Sequence, residues 1–383
     1  MIKINNLADC CGCTACASIC AHDAITMKPD ALGFLYPEVD KDKCVDCGLC
    51  EKVCAFNDHY DTSMNLEKPL AYGARHKDMN QLETSRSGAA FIAISDYILE
   101  QGGVVYGAGY TDHFRVVHKR ATTKEERDEF KGSKYVQSDL TGIFRMIKED
   151  LKAGRVVLFS GTPCQTAGLH SFIPNRLRDQ LYLVDIVCHA VPSPYLWRDY
   201  LDYQEKKSKK HIVKADFRDK THGWYSTHME RFTFSDGSSI TDFGHRYFFC
   251  NGLSVRCSCA ECKFCNMVRP SDISIGDFWG IEKVAPSFNS DNRGVSLVIV
   301  NTEKGQRLLE KSEGELNLLK VGTSQVLQPN LIHPTPANPM RQKFEEDYKN
   351  KGFRFVLRRY GNVGWRYNLK TFKEKISRKF CLK

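Results

Sequence analysis

The sequence predicts an α/β (α+β) body of mixed strands and helices preceded by a small, separate cysteine-rich domain. Three observations carry this. Nine of the 17 cysteines lie between residues 10 and 54, eight of them in two arrays of identical spacing. From residue 70 onward, short apolar runs bounded by turn residues alternate with stretches of helical apolar spacing, the pattern of strands and helices packed in layers. A chain of 383 residues exceeds one typical domain and suffices for a large core, which makes the cysteine-rich piece an appendage to something bigger.

The first array is Cys10, Cys13, Cys16 and Cys20, and the second is Cys44, Cys47, Cys50 and Cys54, each spaced C-x2-C-x2-C-x3-C. This is the bacterial run for two [4Fe-4S] clusters. Three closely spaced thiolates occupy three corners of one cube, while the fourth lies too far along the chain and reaches to the other. Cys10, Cys13, Cys16 and Cys54 are therefore assigned to one cluster, and Cys44, Cys47, Cys50 and Cys20 to the second. A zinc site would want paired C-x2-C or mixed Cys/His ligands, and a disulfide framework suits a secreted mini-protein. The stretch resembles the 2[4Fe-4S] bacterial-type ferredoxin family. Ala21 and Ala55 stand where that family usually has proline, a difference in turn rigidity rather than ligation. Cys11, beside a ligand, is read as a non-ligand.

In chain order, residues 24–27 and 34–37 read as two short strands with Gly33 in the turn between them, and the ferredoxin-type domain spans 1–58. A polar stretch closed by Pro69 makes 59–69 a linker. In the body, 70–335, strands are expected at 70–75, 104–109, 114–120, 156–159, 181–187, 213–218, 228–235 and 239–243, with 228–235 and 239–243 joined by an Asp236-Gly237 hairpin turn, and the apolar run 295–300 reads as a further buried strand. Helices are expected at 89–100, 124–130, 140–152 and 194–207. Residues 336–383 form a basic aromatic tail.

Charge is unevenly distributed: residues 1–60 carry a net −4 and residues 341–383 a net +10. The tail intersperses its basic residues with Phe353, Phe355, Tyr360, Trp365, Tyr367, Phe372 and Phe380. One reading is contact with an anionic membrane surface or an acidic partner; the other is a solvated C-terminal helix packed on the body. No nucleic acid is expected, since nothing else in the chain points to one. The cysteine content, with no apolar leader in residues 1–9, argues for a reducing compartment, the cytoplasm, with the tail able to place the protein peripherally at the inner face of the membrane. No apolar run approaches the ~20 residues a membrane-spanning helix needs.

Further motifs follow in the body: Ser87-Gly88, Gly132-Ser133-Lys134-Tyr135, Gly161-Thr162-Pro163-Cys164-Gln165, Cys188-His189, Arg256 to Cys265 with Cys257, Cys259, Cys262 and Cys265, and the run from Asp272 to Phe278. In this order, behind a double ferredoxin motif, they resemble the coenzyme F-420 hydrogenase/dehydrogenase beta subunit family. The resemblance implies a flavoprotein with FAD and a further [4Fe-4S] cluster. It also implies an F-420 or other organic substrate.

The residues support this unevenly. Cluster electrons travel singly and most organic reductions take two, so a flavin is the expected converter. No G-x-G-x-x-G is present; Gly107 and Gly109 match its first half and read as a turn after a strand. Ser87 and Gly88 ahead of a helix offer a pyrophosphate site, or an ordinary N-cap. Ser133, Lys134 and Tyr135 offer a phosphate charge and a stacking ring, or a solvated loop. Cys164 and Cys188 follow apolar strands at the edge where open α/β sheets place their sites. With Cys259 and Cys262 they make a third [4Fe-4S] set, favoured by the resemblance. Cys257, Cys259, Cys262 and Cys265 are the local rival, for a cluster or a zinc ribbon. His189, His222 and His228 are the candidate proton donors.

The expected function is an iron–sulfur flavoprotein oxidoreductase that passes electrons from a ferredoxin-like donor or partner enzyme to an organic small-molecule acceptor. The alternatives are a coenzyme F-420 oxidoreductase and a non-catalytic electron-transfer subunit.

Overall fold

The computed structural model describes residues 1–56, 61–218, 220–221, 223–226 and 230–361. Its strands are β1 (Ile25–Pro29), β2 (Leu35–Val39), β3 (Asn65–His76), β4 (Val104–Thr111), β5 (Arg115–Ala121), β6 (Val157–Gly161), β7 (Leu181–Ile186), β8 (Ile212–Asp216), β9 (Glu230–Phe234), β10 (Ser239–Asp242), β11 (Ile273–Asp277), β12 (Ser296–Thr302) and β13 (Leu316–Val321). β1 and β2 form the antiparallel hairpin between the two cysteine arrays. Eight strands form one mixed sheet in the order β13-β3-β12-β11-β7-β6-β4-β5, and β10-β9-β8 form a second, smaller one. The protein is a mixed α/β fold behind an N-terminal ferredoxin-type domain.

Neighbours β4, β6, β7 and β11 run parallel, so their carboxyl ends share one edge of the sheet. Every residue of β12 is buried, as a near-continuous apolar run in a central strand requires. β3 starts at Asn65, inside the stretch read as linker. There Asn65 pairs with Thr302 across a bulge and its side chain donates to the Arg269 carbonyl at 3.0 Å.

The cysteine-rich domain shares a core with the body, which corrects the expectation of an appendage. Cys11, Cys13, Ala15, Val53 and Phe56 pack in one cluster with Phe144, Phe159 and Leu169. Gly168, inside the Pro163–Phe172 helix, shows how close the approach is: a Cβ there would lie 2.7 Å from Cys13 Sγ. Glycine costs a helix about 1 kcal/mol relative to alanine, and the contact accounts for it.

The small sheet packs on the Pro194–Ser208 helix around Trp197, Tyr200, Phe232 and Phe234. The C-terminal helices Arg341–Lys351 and Phe353–Tyr360 add Phe344, Phe353, Val356 and Leu357 to that core. Tyr360 donates to Asp347 at 2.6 Å. The described half of the tail is thus a pair of helices packed on the body, because its apolar residues recur at helical spacing. Trp365, Tyr367, Phe372 and Phe380 lie outside the described residues.

His118 on β5 is buried, stacked on Phe159, and sits in a closed hydrogen-bond chain. Ser138 reaches its Nδ1 at 2.9 Å and its Nε2 faces the Ser160 carbonyl at 3.0 Å. Burial pushes its pKa down to about 4, and does the same to His170. An unfolded chain takes up protons at these residues near pH 6.5, before the native state does, so their stabilisation is present above that pH and lost as pH falls toward 4. For His118 the loss is on the order of 3 kcal/mol. Denaturation midpoints measured from pH 7 to pH 4 should fall across this window, and less so in His118→Asn. A midpoint flat over that range would reject the assignment.

Candidate functional site

The two arrays exchange their fourth cysteines. A cavity of about 390 Å³ is lined by Cys44, Cys47, Cys50 and, from the first array, Cys20. Cys47 is exposed, so this is the outer site. Two backbone amides point at its sulfurs: Ile2 to Cys50 at 3.3 Å and Ala24 to Cys20 at 3.4 Å. In the other set, burial pushes the Cys16 thiol up, and the neighbouring Cys13, Cys10 and Cys54 add to the effect. Cys13 and Cys16 are buried against the body. This is the inner site.

A second cavity, of about 460 Å³, opens at the carboxyl edge of the parallel strands. Cys11, Cys164, Cys188, Cys259, Cys262 and Cys265 all line it. Cys164 lies in the first turn of the Pro163–Phe172 helix, which follows β6 directly. Pro163 at the first helical position and Gln165, whose side chain accepts from the Thr162 amide at 2.9 Å, define that helix start. Cys188 follows β7, and the Val191 amide points at Cys259 Sγ at 3.4 Å. Burial, then Cys259, Cys164 and Cys262, push Cys188 well up. Thiols crowded in this way resist ionising alone, and binding iron would remove their protons. The sulfurs surround space instead of closing on a point. Among the described residues no three His, Cys, Asp or Glu side chains group as a single-ion site.

The local rival set is not brought together. Cys257 is absent from the cavity wall and lies instead beside Arg341, Glu345 and Asp30. Cys265 does line the cavity, next to Cys262. Cys11 lies beside both Cys13 and Cys164, so a single thiol spans from the inner site to this cavity.

The cavity wall is held by Arg269, which sequence reasoning passed over. Its guanidinium pairs with Asp185 of β7 at 2.8 Å, both groups being fully buried, and also donates to Ser274 Oγ and the carbonyls of Phe264 and Ile186. These bonds tie the cysteine-bearing loop to the ends of β7 and β11. No local pattern marks an arginine seven residues past a cysteine as that anchor.

The proposed flavin residues divide. Ser87 does not cap a helix: its hydroxyl donates to the Val295 carbonyl at 2.7 Å, and the cap is Ala89, at a positive φ of 62°. Gly88 is packed flat on the sheet, where a Cβ would lie 1.9 Å from the Ala74 carbonyl oxygen. Both residues therefore serve strand packing, which local spacing could not reveal. Ser133 is exposed. Lys134 donates to the carbonyls of Glu129 at 2.6 Å and Lys131 at 3.2 Å, and its ammonium lies over the Tyr110 ring, 5.5 Å from the ring centre, so that its third N–H has an aromatic face rather than an oxygen beside it. Burial brings its pKa down to about 7, with Arg86 and Lys119 lowering it further against Glu129. Tyr135 packs on Phe217 and Phe249, with the Arg246 guanidinium over its ring.

His189 sits edge-on to Phe249 and bonds Thr335 Oγ1 at 3.1 Å, and burial lowers its pKa. A small apolar cluster of Ala190, Phe249 and Val255 joins Tyr135 to Cys259. The loop from Lys134 ends at Gln137, whose side chain donates to the Cys11 carbonyl at 2.9 Å. His222 and His228 lie outside the described residues.

Comparison with known families decides the identity of the two parts. The model for the C terminus of the coenzyme F420 hydrogenase/dehydrogenase beta subunit matches residues 154–322, and the model for a 4Fe-4S dicluster domain matches residues 9–57. Residues 154–322 thus correspond to the C-terminal domain of the F420 hydrogenase/dehydrogenase beta subunit, and residues 9–57 to a 4Fe-4S dicluster domain. The beta subunit domain begins just ahead of β6 and contains Cys164, Cys188, Cys259 and Cys262, and the dicluster domain contains both cysteine arrays. One chain of the xenon-derivatised F420-reducing [NiFe] hydrogenase complex from Methanosarcina barkeri is 19% identical, with a TM-score of 0.47 over 75% of this chain and 91% of that one. No curated protein matches the sequence. No described helix is long and apolar enough to cross a membrane.

Proposed function

We infer that this beta subunit domain works as an iron–sulfur flavoprotein oxidoreductase. It takes single electrons from a ferredoxin-like donor protein and delivers them in pairs to an organic small-molecule acceptor. The observation that carries this reading is the unbroken contact from the inner cysteine set through Cys11 to the second cavity, and from Cys259 through Phe249 to Tyr135, the residue after Lys134. FAD, when bound, would supply the conversion between one-electron and two-electron chemistry. Cys164, Cys188, Cys259 and Cys262 are the residues for a third [4Fe-4S] cluster. Lys134 offers its third N–H to a phosphate, Tyr135 offers a ring, and His189 is placed to hand a proton to a reduced acceptor. Exposure of the outer set gives the donor its approach.

The test is flavin uptake by the anaerobically reconstituted chain. A flavin absorption band retained after desalting, and weakened in Lys134→Ala, is expected. An anion beside Lys134 raises that lysine's pKa, so binding takes up a proton, and flavin affinity should fall as pH rises above about 7. A wild-type chain that never retains flavin leaves the electron-transfer subunit as the better reading. Retained flavin that reduces F-420 makes the chain an F-420 oxidoreductase.

A further inference from the structure

Among the described residues three arginines are buried to 1% exposure: Arg127, Arg256 and Arg269. Arg127 pairs with Asp96 at 2.6 Å and Arg269 with Asp185 at 2.8 Å. Arg256 differs. Its Nε donates to the Cys10 carbonyl at 2.8 Å and one terminal nitrogen to Gln137 Oε1 at 2.9 Å. The other terminal nitrogen reaches the Leu35 carbonyl at 2.9 Å and Cys10 Sγ at 3.6 Å. Every acceptor is a neutral group or a cysteine sulfur, and among the described residues it forms no ion pair with a carboxylate. Tyr36 and Phe34 cover the guanidinium, with ring centres at 4.1 Å and 5.6 Å. Cys11 and Cys259 also lie within reach of its charge.

The Asp30 carboxyl feels this charge without touching it. A buried guanidinium with no counter-ion in contact is strongly unfavourable, so the fold holds a place for negative charge here. Four thiolates around an iron–sulfur cube make a net anion. We propose that Arg256 is the counter-ion of the inner ferredoxin cluster and raises its reduction potential, which makes that cluster the acceptor for the outer one. The proposal rests on the assignment of the two arrays to [4Fe-4S] clusters. Reduction adds one negative charge. Burial disfavours that charge, whereas a fixed cation and a hydrogen bond to a ligand sulfur favour it. The inner site is the buried one, so Arg256 offsets what burial would otherwise cost. One electron leaves the outer cluster, which is oxidised, and enters the inner one, which is reduced. No bond or proton changes hands, and the one-electron donor protein restores the outer cluster.

The experiment is an EPR-monitored redox titration of the reconstituted full chain, with iron content measured alongside. In Arg256→Gln one ferredoxin reduction step should move to lower potential while the other stays. Arg256→Lys should fall between Arg256→Gln and wild type, because it keeps the charge and loses the bond to Cys10 Sγ. Unmoved steps in an iron-replete Arg256→Gln overturn the proposal and leave Arg256 a structural clamp. Should Arg256→Gln lose its iron, Arg256→Lys decides: a displaced step supports the proposal and an unmoved one overturns it. A wild-type chain that binds no iron would overturn the cluster assignment itself, and this proposal with it.

Discussion

Cys259→Ala and Cys164→Ala are each expected to lower the iron content of the reconstituted chain from about 12 to about 8 atoms, with the ferredoxin signals intact. The expectation follows from the second cavity, where the beta subunit domain brings together thiols from three separate segments: Cys164 after β6, Cys188 after β7, and Cys259 and Cys262 from the loop ahead of β11. Loss of one thiolate usually makes a cube labile. Cys257→Ala should leave the iron count unchanged, because Cys257 stands outside the cavity wall. Cys265→Ala is the sharper control, since Cys265 lines the cavity beside Cys262. An iron loss in Cys265→Ala with none in Cys164→Ala would mean that the wrong thiols have been assigned. A wild-type count near 8 would remove the third cluster.

Arg269→Met should destabilise the protein by about 3–5 kcal/mol, the usual cost of leaving one member of a buried ion pair uncompensated. Asp185 would then remain in the sheet with no cation in contact, and the loop bearing Cys259 and Cys262 would lose four hydrogen bonds of its anchor. A double replacement, Arg269→Met with Asp185→Leu, should recover part of the stability, because it removes the stranded charge as well. It should not restore the third cluster, since the loop remains untied. Denaturant unfolding of all three variants, with iron counted in each, separates the two effects. A loss under 1 kcal/mol in Arg269→Met would show that the pair does not anchor the loop.

The two cysteine arrays were legible as a dicluster domain, and the structure gathers Cys20 with Cys44, Cys47 and Cys50, as the spacing led one to expect. Ligand spacing within a few residues is a local property, and a thiol too far along the chain to join its own cube has only one other to join. Six of the eight strands of the large sheet were legible too, because apolar runs such as 295–300 can satisfy both faces only inside a sheet, whereas β11 and β13, at 273–277 and 316–321, were not expected. The partners of the proposed flavin residues were not legible. Lys134 and Tyr135 remain proposals, and Ser87 and Gly88, equally suggestive in one dimension, are packed against the ends of β3 and β12. A hydroxyl's partner and the room beside a glycine are set by strands more than 200 residues away, and no local pattern carries that information. The same holds for Arg256, Arg269 and Cys11. Each is an ordinary residue in the chain, and each acquires its role from what the fold buries beside it.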